Sequence, residues 1–171
     1  MAKKWSEDPD VLHRKAQSGI LSALAAGEDD VLALMGAVAP FDVPNHFTPD
    51  VVLLEIAAAA LGLAWSPGSE PLEYQGLTDR YLSDLELSGR TLRHRTSYAI
   101  HAAACIRGGL LPDLLGEAGA WRPGLWTYAV SAVLLYTRAA ADRLKLTVPD
   151  VARQLAAALE LDLAAPQQAS E

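Results

Sequence analysis

The chain has 171 residues and a formal net charge of -7, with 51% apolar and 20% charged residues. That balance excludes intrinsic disorder, because enough apolar surface is present to offset the entropy of ordering, and the length fits one domain burying roughly two-thirds of the surface its unfolded chain exposes. A single cysteine, Cys105, excludes an intrachain disulfide, and a pI near 5.0 opposes long-range attraction to nucleic acid.

Thirty-one Ala and 28 Leu stand against 10 Val and 4 Ile, a bias toward helix formers and away from strand formers. It predicts an all-α fold, a single-domain bundle of about six to seven helices over residues 1–163, with a surface loop near 65–76 and a frayed tail over 164–171. The opening MAKKWSEDPD lacks the apolar run of a signal peptide, and the longest apolar runs, 51–65 and 125–137, fall short of the roughly 20 residues that cross a bilayer. The expectation is a cytoplasmic protein without a membrane partner. Ten Arg against four Lys, together with the Ala excess, suggest a GC-rich bacterial source by association alone.

In chain order, the first helix is predicted over about 10–26, with Leu12, Ala16, Ile20 and Ala23 on one stripe and Gly27 ending it. A second runs over about 28–38; its opening acids Glu28, Asp29 and Asp30 answer the helix dipole in preference to holding Mg²⁺. The third, about 49–64, is apolar almost all round and belongs near the centre. After the Pro, Gly and Ser break at 65–76 comes a fourth over about 77–87. The glycine-rich stretch 110–124 reads as a loop.

A long helix over about 125–144 puts Trp126, Val130, Val133, Thr137, Ala140 and Leu144 on one face. Arg138 and Asp142, four apart, are expected to form a solvated ion pair. The last helix, about 149–162, presents Val151, Leu155 and Leu159. The tripeptide Pro-Asp-Val opens three of these helices, at residues 9, 49 and 149, as a shared capping solution. The stretch LTVPDVARQLAAALEL resembles the first half of a helix-turn-helix, but too little chain follows for a recognition helix.

Residues 90–107, RTLRHRTSYAIHAAACIR, reverse the sign of the chain: four arginines and two of its four histidines, with no acid. On a helix, His94, Tyr98, His101 and Cys105 share one face while Leu92, Ala99, Ala103 and Ile106 occupy the other. Arg93 and Arg95 flank His94 near the helix start, where free N–H groups and the dipole favour an anion. Arg90, Arg93, His94, Arg95 and Tyr98 are therefore the candidate anion or partner site. The competing structural reading pairs these arginines with Asp79, Asp84 or Glu86 on the preceding helix.

A metal is not expected. His94 and His101 are about 10.5 Å apart along a helix axis, and His101 with Cys105 lacks two further ligands, which His13 and His46 would have to supply by folding alone. No cofactor motif occurs, nor any phosphate loop or nucleophile elbow. The leading expectation is a non-enzymatic binding protein whose basic helix takes an anionic partner. A protein or a second copy ranks first, with a two-fold homodimer as the default for self-association, and nucleic acid follows. The alternative is a small-molecule enzyme acting on a phosphorylated or carboxylated substrate in a pocket that reaches His101 and Cys105.

Overall fold

The structure is a computed structural model that describes residues 8–41, 49–71, 73–81 and 126–164. Among these residues the fold is all-α, with no strand: α1 (Pro9–Ala25), α2 (Val31–Val38) continued by a 3₁₀ turn (Ala39–Phe41), α3 (Pro49–Ala64), α4 (Tyr74–Tyr81), α5 (Trp126–Leu144) and α6 (Val148–Ala158). The basic segment 90–107 and the glycine-rich stretch 110–124 lie outside the described residues, as does the tail beyond Ala164.

Local chemistry explains three of the six helix starts. Asp8 caps α1 by accepting from the Asp10 N–H at 3.0 Å, and Pro9 fills the first helical position, where a missing N–H costs nothing. Thr147 caps α6 through the Asp150 N–H at 3.2 Å and donates to the Asp150 carboxylate at 2.7 Å, which, with Arg153 beside it, holds that carboxyl below its usual range. The second helix starts three residues later than the acids suggest. Asp30 is its cap, accepting from the Ala33 N–H at 2.8 Å, so Glu28 and Asp29 precede the helix.

Three helix ends are set by one repeated turn. After α1, the Gly27 and Glu28 N–H groups donate to the carbonyls of Leu24 and Ala23, with Gly27 at φ 84°. The same pair of bonds ends α5 at Lys145 and Leu146, and α6 at Glu160 and Leu161. There the left-handed position holds Lys145 (φ 59°) and Glu160 (φ 54°), not glycine. This is why α6 stops at Ala158, short of the predicted 162: the stop carries no glycine to announce it.

The buried residues form one cluster drawing on all six helices, and its middle is the α3–α5 pair, the most extensive helix contact among the described residues. Val52, Leu53, Leu54, Ile56, Ala57, Ala60 and Leu61 of α3 are closed to solvent. So is nearly every residue of α5 from Ala129 to Ala141, which makes this stretch buried on more than the one face its spacing suggested. Alanines at 57, 60, 132, 139 and 140 are among the buried residues of the two helices. Around the pair, α1 and α6 pack on each other, and α2 and α4 both lie against α5. α4 begins at Tyr74, inside the loop expected over 65–76 and ahead of the expected start at 77, and the helices on either side of that shorter break share a core.

Candidate functional site

The residues singled out for anion binding, Arg90, Arg93, His94, Arg95 and Tyr98, lie outside the described residues, and so do His101 and Cys105 of the alternative pocket. Of the acids offered as their structural partners, Asp79 is on α4 and exposed; Asp84 and Glu86 lie outside. What the described framework supplies is the electrostatic setting of that segment, together with two polar clusters of its own.

The first cluster is a histidine–carboxylate junction between α1 and α3. His13 Nε2 lies 2.6 Å from Glu55 Oε2, and the same oxygen accepts from the Gln17 amide at 3.4 Å. The His13 and Glu55 side chains are 28% and 27% exposed, and Gln17 is 7% exposed. Glu55 is the one charge in an otherwise apolar helix beyond its first turn, and the fold brings to it two polar residues, His13 and Gln17, that border the buried face of α1. The hydrogen bond to Glu55 holds the His13 pKa above its ordinary 6.5, assisted by the charges of Glu55 and Asp10 and opposed by partial burial. Chemically this is a charge-assisted clamp with a titratable member. Its sequence signal was a lone Glu in an apolar run, and nothing in the spacing said which histidine would meet it.

The second cluster is a set of arginines that terminate backbone carbonyls. Arg143 on α5 donates to the carbonyl of Ala64, the last residue of α3, at 2.7 Å and lies 5.5 Å from the Trp65 ring. Arg138 donates to the carbonyls of Tyr81 and Asp29 and sits 3.8 Å from the Asp29 carboxylate. Arg14 on α1 donates to the Glu160 carbonyl just past α6 at 2.6 Å. The last carbonyls of a helix are unpaired and carry the negative end of its dipole, so a guanidinium there satisfies acceptors and charge together.

The expected Arg138–Asp142 pair does not form. Arg138 turns to Asp29 and the two carbonyls, while Asp142 accepts from Arg80 at 2.9 Å and from the Tyr81 hydroxyl at 3.1 Å. Tertiary partners outcompete a solvated i,i+4 contact worth a few tenths of a kcal/mol. Burial and the neighbouring Asp142 carboxylate both push the Tyr81 phenol up. Tyr136, donating to the Pro71 carbonyl at 3.3 Å in the core, is pushed up further, by burial first and then by Glu70.

Among the described residues no group of three or more His, Cys, Asp or Glu side chains is placed to hold a metal ion, and no helix is long and apolar enough to cross a membrane. No protein-family model matches the chain, and neither a curated protein nor a solved structure matches it.

Proposed function

We propose that the protein is an interaction module that binds an anionic protein partner through the basic segment 90–107, with Arg93 and Arg95 contacting the partner and His94 adding a donor. The observation that carries this reading is a separation of charge. The described residues hold fourteen acids against seven Lys and Arg, a balance equal to the whole of the chain's -7, while 90–107 holds four arginines and no acid. A basic stretch on an acidic framework favours a compact acidic surface met at short range. The framework repels an extended polyanion, which ranks nucleic acid second. Arginine's planar fork suits carboxylate pairs on such a partner.

A second reading draws on the five described arginines, Arg14, Arg80, Arg138, Arg143 and Arg153, each of which is bonded to a carbonyl or carboxylate of the fold itself. In that reading the basic segment fastens the chain to its own acids. One experiment separates the two. Fluorescent polyglutamate and single- and double-stranded oligonucleotides are titrated with the wild type and with the Arg93→Ala, Arg95→Ala double variant, from about 20 mM to about 500 mM salt, a range over which screening shortens several-fold. The expected result is polyglutamate binding that weakens with salt and drops by at least about tenfold in a double variant that stays folded by circular dichroism. Tighter binding of oligonucleotides exchanges protein for nucleic acid as the partner. No binding at the lowest salt, with a double variant that melts earlier, overturns the proposal in favour of the second reading.

A further inference from the structure

Three side chains spaced four apart on α1, Arg14, Ser18 and Ser22, bond to the backbone of the segment that leaves α6. Arg14 donates to the carbonyl of Glu160 at 2.6 Å, the Ser18 hydroxyl donates to the carbonyl of Asp162, and the Ser22 hydroxyl accepts from the N–H of Ala164 at 3.0 Å. The partners are alternate residues of the segment. Four residues of helix rise about 6 Å, and two residues of extended chain advance about 6.6 Å, so the two repeats match almost rung for rung. Two residues of helix would advance only about 3 Å, and the segment must therefore run extended along α1.

The side chains obey the same alternation. Leu161 and Leu163, between the rungs, are partly buried against the core, whereas Glu160, Asp162 and Ala164 are exposed. Each of these three polar contacts from α1 reaches a main-chain atom, so the row reads backbone and register and leaves the exposed positions unspecified. The strap begins at Glu160, whose φ of 54° is a left-handed conformation that an L side chain rarely adopts. A short segment behind a strained junction, held by three side-chain bonds and two partly buried leucines, is built to open locally while the α3–α5 core stays closed.

We infer that this row of α1 is a binding site for an extended peptide with apolar residues at alternate positions, and that residues 160–164 occupy it as a releasable ligand in cis. The site is separate from the basic segment and stands whether or not that segment binds a partner. While tethered, the strap competes at an effective concentration on the order of millimolar, which hides the site from peptides added in trans. Release uncovers Arg14, Ser18 and Ser22 together with the apolar seam that Leu161 and Leu163 cover.

The test uses the full chain and a fluorescein-labelled peptide of residues 158–164. The wild type should show little binding, because its site is filled. The Leu161→Asp, Leu163→Asp variant, whose strap loses its apolar anchors, should bind the peptide at least about tenfold more tightly, as expected when a cis competitor is removed. Adding Ser18→Ala and Ser22→Ala on α1 should abolish most of that gain. A folded strap variant that binds no better than the wild type overturns the inference. Native-state hydrogen exchange on the unaltered protein supplies an arm that does not depend on any variant folding. The Ala164 amide should exchange through an opening at least about a hundredfold more populated than the one exposing α3 and α5 amides. Exchange at the rate of the core amides means that the strap opens only on global unfolding, and the inference falls.

Discussion

Two polar rows run side by side along α1, and they do opposite things. His13 and Gln17 border the buried arc and converge on one oxygen of one side chain, Glu55. Arg14, Ser18 and Ser22, roughly 100° further round, meet backbone. The inner row depends on a single residue and on charge, so Glu55 is indispensable to both of its partners. The outer row depends on spacing, and the identity of what it holds is free at every exposed position. A contact to a side chain fixes which helix sits opposite; a ladder to the main chain fixes only that something extended lies there.

The largest effect should come from removing the hub of the inner row. Glu55→Ala deletes the acceptor of both His13 and Gln17 and strips the Gln17 amide of this bond where almost no water reaches it. A buried donor without a partner costs about 1–3 kcal/mol, so the variant should lose about that much in urea unfolding. Ser18→Ala on the outer row should lose about 1 kcal/mol or less, since its partner carbonyl is exposed enough to turn to water. Equal losses at the two sites would erase the distinction between the rows.

That asymmetry also explains what could be read in advance. Helix positions written in proline, acid and hydroxyl caps were legible: α3 begins and ends as its pattern requires, and α1 and α5 lie within a residue of expectation at either end. The end of α6, written only in backbone conformation, was not: Glu160 takes the position glycine holds at residue 27, and the helix stops at Ala158. Polar pairing was least legible. Arg138 and Asp142 sit at ideal helical spacing, yet each is claimed by another element, and the partners of His13 and Ser18 are 42 and 144 residues away in the chain. Periodicity reports which face is buried; it carries no record of which distant group arrives there. The candidate anion site at 90–107 rests on its sequence, beyond the described residues.

Proton binding sharpens the comparison, because only the inner row titrates near neutrality. The folded state raises the His13 pKa above 6.5, chiefly through the bond to Glu55. A proton held more tightly in the folded state adds stability that is fully present below 6.5 and disappears as the pH rises through the higher folded value. The stability gap between wild type and His13→Gln should therefore be roughly 1–2 kcal/mol near pH 6 and shrink toward pH 9. The His13 ring resonances should titrate with a midpoint above 6.5. A midpoint at or below that value, or a gap that widens with pH, contradicts the clamp. Ser18→Ala should show no such dependence over the same range.

The smallest effect concerns the junction where the outer row's ligand begins. Glu160 and Lys145 are both exposed and both held at positive φ by the same pair of backbone bonds that Gly27 makes after α1. Replacing either with glycine removes the steric cost of the left-handed conformation and returns part of that gain as unfolded-chain entropy. Each change should stabilise by roughly 0.5–1 kcal/mol. The two sites differ in the chain beyond them. Lys145 leads into Leu146 and α6, so Lys145→Gly should raise the global unfolding midpoint alone. Glu160 leads into the strap, so Glu160→Gly should also slow exchange of the Ala164 amide, the bond that closes the ladder at Ser22. If Glu160→Gly stabilises the protein yet leaves that amide unchanged, the strained residue limits the end of α6 and has no part in holding the strap against α1.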